Sequence, residues 1–186
     1  VYPFVEDTIC LQKAETPELF AASARAFGKF QRMLKDYPAD TLYETIPKFH
    51  DTEDRLAKLK AAVAADVMGR VKEVGPELKF VQEREADCSV TLSALRDGRL
   101  PLRVTHNDTK LNNILIDRES GEGICVIDLD TVMPGLAIND FGDSIRFGAN
   151  HSAEDERDLT KVNFDLELFD VYAAGFLEGA GGALTE

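Results

Sequence analysis

The sequence predicts an α+β chain, mostly helical, with one small antiparallel hairpin that carries the chemistry. Three observations predict it. Apolar residues recur at helical spacing over much of the first 96 positions. Two short apolar runs then face each other across a Gly-containing turn between residues 113 and 127. A dense polar stretch, THNDTKLNN at 105–113, stands immediately before the first of those runs.

The elements follow in order. Val1 to Val5 are aromatic and apolar and read as an edge or terminal strand. Thr16-Pro17-Glu18 marks a helix start, because Pro fits the first helical position. Phe20, Phe27, Phe30, Leu34 and Tyr37 lay one stripe along that helix, which assigns Phe27 and Phe30 to the core, and Pro38 stops it. A second helix is expected from about Thr52 to Val74, with Leu56, Leu59, Val63, Val67, Val71 and Val74 on one face. Gly75 and Pro76 punctuate. A third is expected from Pro76 to about Arg96, presenting Leu78, Val81, Cys88, Leu92 and Leu95. Each stripe needs a partner surface, so three packed helices are expected before the polar stretch.

Leu102 to Thr105 looks extended. Asn113 to Asp117 and Ile124 to Ile127 form the hairpin, joined through Arg118 to Gly123. A helix near Ile138 to Phe147 and another over about Asp165 to Ala180 complete the chain, the latter closed by Gly179, Gly181 and Gly182. Leu184-Thr-Glu186 reads as the opening of a further helix, and both ends are expected to be cuts through a larger protein.

Composition narrows the function. With 21 basic and 34 acidic side chains the formal charge is −13, a field that repels nucleic acid and anionic lipid. A small phosphate ligand stays compatible, since Mg²⁺ reverses the local sign. No stretch approaches the roughly 18 apolar residues of a membrane span, and no signal peptide opens the sequence. Cys10, Cys88 and Cys125 have no metal-ligand spacing, sit in apolar surroundings and read as buried free thiols. A cytoplasmic location is expected.

The hairpin concentrates the chemistry. In an antiparallel pair the residue that opens the first strand neighbours the one that closes the second, so Asn113 and Asp128 share one end. Asp108 and Lys110 lie in the loop at that same end. Asn and Asp oxygens suit Mg²⁺, which binds through few protein ligands and keeps part of its water. Asp108 can accept a proton from an attacking hydroxyl, and Lys110 can neutralise charge on a moving phosphoryl group. His106, beside an apolar strand, is expected to brace the loop by hydrogen bonding. Asp130 lies two along from Asp128 and would face the other side unless the backbone turns. It is either a metal or substrate ligand or a local hydrogen-bonding group. Asp143 and Arg146 stand three apart and suit a helix-face ion pair. The acidic stretch Glu154 to Asp158 reads as solvated and is given no chemistry.

His106-Asn-Asp108-Thr-Lys110-Leu-Asn-Asn113 resembles the catalytic loop of the protein-kinase-like superfamily, and Ile127-Asp128 resembles its metal-binding Asp. The chain departs from protein kinases. His-Asn-Asp stands where they carry His-Arg-Asp, Asp-Leu-Asp where they carry Asp-Phe-Gly, and no Ala-Pro-Glu segment follows. The pattern is similar to the small-molecule branch, the aminoglycoside phosphotransferase and choline kinase type. The runs around THNDTKLNN, CVIDLDTVMPG and NDFGDSIRFGAN look most like bacterial N-acetylhexosamine 1-kinases. The resemblance implies the C-terminal (large) lobe of the kinase-like fold over residues 8–186, preceded at 1–7 by the last small-lobe strand and hinge. Phe4, Val5 and Glu6 would then meet the nucleotide. It also implies that Asp140 braces the catalytic loop, that ATP and Mg²⁺ are used, and that the small lobe is a missing partner.

The expected function is transfer of the ATP γ-phosphoryl to the anomeric hydroxyl of an N-acetylhexosamine by the parent protein, this chain by itself being inactive or nearly so. Two alternatives stay open: a kinase for another small hydroxyl compound, of aminoglycoside, choline or amino-alcohol type, and a non-catalytic kinase-like binding domain. Two-metal phosphoester hydrolysis would need a tighter ligand cluster than this spacing provides. An unpaired first strand and an uncovered lobe face lead to expected self-association.

Overall fold

A computed structural model describes residues 3–184. It is mixed α+β, predominantly helical with two small antiparallel sheets. The chain forms two compact units: Val1–Thr45 with Leu102–Glu186, and Ile46–Pro101.

In the first unit, α1 (Pro17–Met33) starts where the sequence places it. Thr16 caps it by accepting from the Leu19 amide at 3.4 Å, and Pro17 costs no hydrogen bond in the first turn. Its partner is α6 (Leu166–Ala180), capped by Asp165, which accepts from the Glu167 and Leu168 amides at 2.9 and 3.0 Å. Glycines let the two backbones touch. A Cβ on Gly28 would lie 2.2 Å from the Phe176 carbonyl oxygen, and one on Gly179 would lie 2.2 Å from that of Arg25. Phe20, Phe27, Tyr172 and Phe176 bury their rings in this unit, each contributing roughly 2–3 kcal/mol of hydrophobic burial. Phe30 is half-buried.

One sheet has the order β1 (Thr8–Ile9), β3 (Ile114–Asp117), β4 (Gly123–Val126). Its middle strand alternates, with Ile114 and Ile116 fully buried against the core. Val1 and Tyr2 of the expected first strand lie outside the described residues. Pro3 to Val5 form no ladder, and pairing begins at Thr8 opposite Asp117. The second sheet pairs β2 (Arg103–Thr105) with β5 (Met133–Gly135), Thr105 opposite Met133. Gly135 is required there, because a Cβ would sit 2.2 Å from Thr105 Oγ1. α5 (Ala137–Gly148) follows directly.

The second unit corrects two helix lengths. The helix expected to reach Val74 is α2 (Thr52–Ala65), which ends at Asp66 in the left-handed region. The Asp66 carboxylate accepts from the Val71 amide at 3.2 Å, and Gly69 also takes positive φ, so the chain turns back. Val67, expected on the buried face, is 86% exposed. The helix expected over Pro76 to Arg96 is two, α3 (Gly75–Glu83) and α4 (Val90–Arg96), separated by a 3-10 stretch at Glu85–Ser89. Side chains of α2 hold that break: Thr52 Oγ1 donates to the Cys88 carbonyl at 2.5 Å, and Lys60 pairs with Glu85. Arg96 forks onto both carboxylate oxygens of Glu53 at 3.0 and 2.8 Å.

The cysteines are free, but the expectation of burial is corrected. Cys10 is exposed because it leaves the two-residue β1 into a surface loop, and Cys88 and Cys125 are half-buried. Among the described residues no helix is long and apolar enough to cross a membrane.

Candidate active site

The polar stretch that follows β2 is suspended from α5. Asp140, fully buried in the first turn of that helix, accepts from the backbone amides of His106 and Asn107 at 3.0 and 2.8 Å, and from Gln31 Nε2 at 2.8 Å. Burial pushes its carboxyl up to about 6, although these three donors pull the other way. Asp143, one turn on, accepts from the Thr109 amide at 2.9 Å. Thr109 Oγ1 donates to the Asp140 carbonyl at 2.5 Å, and Ser144 Oγ donates to the Thr109 carbonyl at 2.8 Å. Three loop amides thus end on two carboxylates of one helix.

His106 is buried edge-on against Phe27 and Phe30, with ring centroids 5.5 and 5.9 Å away. Its Nε2 lies 2.9 Å from the Ile127 carbonyl, and its Nδ1 accepts from the Asp108 amide at 3.3 Å. A carbonyl can only accept, so Nε2 carries the proton and the ring bridges the loop to the end of β4. Asn107 adopts φ 67, a left-handed conformation that Asn tolerates. From there Nδ2 donates to the Thr131 carbonyl at 3.0 Å, while Thr131 Oγ1 donates to the His106 carbonyl at 2.7 Å. The Asn of His-Asn-Asp therefore stitches the loop to the turn after the hairpin.

Asn113 and Asp128 share one end of the hairpin. Ile114 is opposite Val126, and the Ile127 amide donates to the Asn113 carbonyl at 2.9 Å. Asn113 Nδ2 donates to the Asp108 carbonyl and to Asp108 Oδ2, at 2.8 and 3.0 Å. With Nδ2 committed, the atom of Asn113 suited to a cation is Oδ1. Asp128 is itself left-handed, φ 61 and ψ 60, and leads into a 3-10 turn at Leu129–Thr131. That turn is the condition attached to Asp130, and it sets the two carboxyls side by side. The hydrogen bond that protonated Asp128 can donate to Asp130, then burial, then the charges of Asp130 and Asp108 raise the Asp128 carboxyl above its ordinary value.

The donor set fits a hard divalent cation held on one side. Mutual repulsion among Asp128, Asp130 and Asp108 is what such an ion relieves. Among the described residues no group of three or more His, Cys, Asp or Glu side chains is placed to hold a metal ion by itself. An Asn oxygen and an Asp oxygen, completed by water and phosphate, suit Mg²⁺.

Lys110 Nζ stands 3.5 Å from Asp108 Oδ1 and 3.7 Å from Glu154 Oε2. Asp143 and Arg146 form the expected ion pair at 2.8 Å, and Arg146 Nη1 also reaches Glu154 Oε1 at 3.0 Å. Beside them opens a cavity of about 610 Å³, lined among others by Gln12, Asn112, Phe147, Asn150, His151 and Glu154. Phe4, Val5 and Glu6 are not part of this cluster. They precede β1, and Asp7 accepts from the Arg118 amide at 2.9 Å, so they lie towards the hairpin turn, at the other end of β3 from Asn113. Phe4 is 87% exposed. Gln31, Asn107, Thr131 and Glu154 are the contributors that sequence reading missed. For Asn107 the signal was its place inside the motif. For the others nothing local marks them.

Over residues 1–176 the chain matches the phosphotransferase enzyme family, and it belongs to that family. At the family level this brings kinase-type phosphoryl transfer and ATP binding.

Proposed function

We propose that the protein transfers the γ-phosphoryl of ATP to a hydroxyl of a small molecule, the acceptor being the anomeric hydroxyl of an N-acetylhexosamine. The observation that carries the reading is the bond from Asn113 to Asp108 at the hairpin mouth, with Asp128 on the facing strand end. Asp108 Oδ1 orients the acceptor hydroxyl and takes its proton as the oxygen attacks the γ-phosphorus. The bond from phosphorus to the bridging oxygen breaks and ADP leaves. Positioning and electrostatics supply most of the barrier reduction in such a transfer, so Asp108 need not be a strong base. Lys110 faces the transferring group with its ammonium. Asn113 Oδ1 and Asp128 would hold Mg²⁺, with Asp130 beside them; when bound, the ion offsets the negative charge of the phosphates.

Two features support a sugar. The chain's motif runs are similar to N-acetylhexosamine 1-kinases, and the neighbouring cavity offers amide side chains for hydroxyls and the Phe147 ring for an apolar sugar face. The test is a panel of N-acetylhexosamines, other sugars, amino alcohols and aminoglycosides offered to the full-length gene product with ATP and Mg²⁺. Coupled ADP release and phosphorus NMR of the product would be read. An anomeric phosphate of a hexosamine is expected. Turnover of amino alcohols or aminoglycosides without any hexosamine would replace the acceptor, an outcome that the charge of −13 would favour for a cationic substrate. No turnover of any hydroxyl compound would end the kinase reading.

A further inference from the structure

Asp108 uses its two carboxylate oxygens differently. Oδ2 accepts from Asn113 Nδ2 at 3.0 Å, which leaves Oδ1 towards the acceptor. Among the described residues the cation that contests Oδ1 is Lys110, held at 3.5 Å. That separation exceeds a normal N–H···O hydrogen bond, though nothing in a four-carbon flexible stem forbids closer approach. Something holds the ammonium back.

The second anchor is Glu154. Its Oε2 stands 3.7 Å from Lys110 Nζ, and its Oε1 accepts from Arg146 Nη1 at 3.0 Å. Arg146 in turn is fixed by Asp143 Oδ1, through Nε at 3.0 Å and Nη2 at 2.8 Å. The other oxygen of Asp143 accepts from the Thr109 amide at 2.9 Å. Charges therefore alternate around a ring, Asp108, Lys110, Glu154, Arg146 and Asp143, whose two ends return to adjacent residues of one loop. An isolated exposed ion pair contributes little and wanders. A carboxylate clamped at its far oxygen by a fixed guanidinium has one place to be, so it defines where Lys110 stops.

We propose that Glu154 is a positioning residue that draws the Lys110 ammonium off Asp108, so that Oδ1 stays uncovered for the acceptor hydroxyl. The kinetic half of this proposal rests on the kinase reading above, and the geometric half does not. Without the Glu154 charge, Lys110 has one carboxylate left within reach and closes onto Asp108. Asp108 is then a hydrogen-bonded ion pair rather than an open acceptor.

Two measurements on Glu154→Gln test it. Crystal structures of the wild-type and variant proteins, grown alike, should show Lys110 Nζ moving from the stretched position to direct hydrogen-bonding distance of Asp108. An ammonium that stays put overturns the proposal whether or not the protein turns over any substrate. In kinetics, Glu154→Gln should lower kcat by about two- to fivefold, the size of one such pair, with the acceptor KM little changed. Glu154→Asp should recover part of the loss. On a Lys110→Ala background the Glu154→Gln change should do nothing further, because there is no ammonium left to misplace. Equal losses on both backgrounds would mean that Glu154 merely props its segment, and would overturn the proposal. If no acceptor is phosphorylated by the wild type, the functional reading falls and the crystallographic comparison still decides this one.

Discussion

Asn113 donates twice through one nitrogen to Asp108, to its backbone carbonyl at 2.8 Å and to its carboxylate Oδ2 at 3.0 Å. A single carboxamide therefore fixes both the rotamer of Asp108 and the end of the loop that presents it, while its own oxygen remains for a cation. Asn113→Ala should lower kcat/KM by about 10²-fold, since a small misplacement of a reacting group costs that much. It should also raise the Mg²⁺ concentration needed for half-maximal rate. A normal Mg²⁺ requirement in the variant would remove Asn113 from the metal site.

Asp108→Asn keeps the shape and the bond partners available but cannot take a proton. Turnover should fall by roughly 10²- to 10⁴-fold, while ATP affinity, measured by calorimetry, stays close to wild type. A variant that retained most of its activity would show that Asp108 neither accepts the proton nor orients the acceptor.

Asp140 makes a pH prediction. Burial raises its folded carboxyl from 3.8 to about 6, so its contribution to stability is fully present below the unfolded value and is lost as pH rises through about 6. Chemical denaturation of wild type against Asp140→Asn should show the wild type losing ground between about pH 4 and 6 and running parallel above that. Asp140→Ala is a harsher change. It strands two loop amides and one of the two N–H groups of Gln31 Nε2, the other keeping the Val104 carbonyl, and should cost about 3 kcal/mol or more.

Gly135→Ala probes the second sheet. The added carbon would lie 2.2 Å from Thr105 Oγ1 and 3.2 Å from Asn107 Oδ1. Either the buried Thr105 side chain must leave its hydrogen bonds or the strand must shift, at a cost of about 1–3 kcal/mol, and both act on the very residues that enter the loop. Thermal unfolding should report the loss, and turnover should fall further than stability alone explains.

Asp130→Asn relieves the neighbour of Asp128. The like-charge contact that raises the Asp128 carboxyl disappears, so the melting temperature without divalent cation should rise. The additional rise produced by Mg²⁺ should shrink, as read by differential scanning fluorimetry at neutral pH. An unchanged Mg²⁺ response would place Asp130 outside the cation's reach.

How much of this was legible in the sequence depended on whether the cause was local. Thr16 and Asp165 announce helix starts because a cap acts within three residues, and Asn113 comes to Ile127 because the two apolar runs of a hairpin meet antiparallel, although a register shift between Leu115 and Ile116 interrupts the ladder. The loop motif named its own contents. The break after Ala65 was hidden, since an apolar stripe through Val67 and Val71 continues past it and only the left-handed Asp66 ends the helix. β5 was hidden because Met133-Pro-Gly135 has no strand character of its own and pairs only where β2 lies. Asp130 could be placed only conditionally, because the turn that brings it round begins with an Asp in a conformation no pattern announces. Glu154 reads as one acid among several in a solvated run. Only the fold shows that Arg146 reaches it.

Amides 106, 107 and 109 all terminate on carboxylates of α5, and the far end of that helix is wedged against α1, where a Cβ on Gly148 would meet the Phe20 ring at 2.3 Å. Helix and loop are therefore one mechanical part, a lever whose handle is Gly148 and whose tip is Asp108. Repacking beneath Phe20, with no contact to any reacting atom, would tilt the handle and mis-aim the tip.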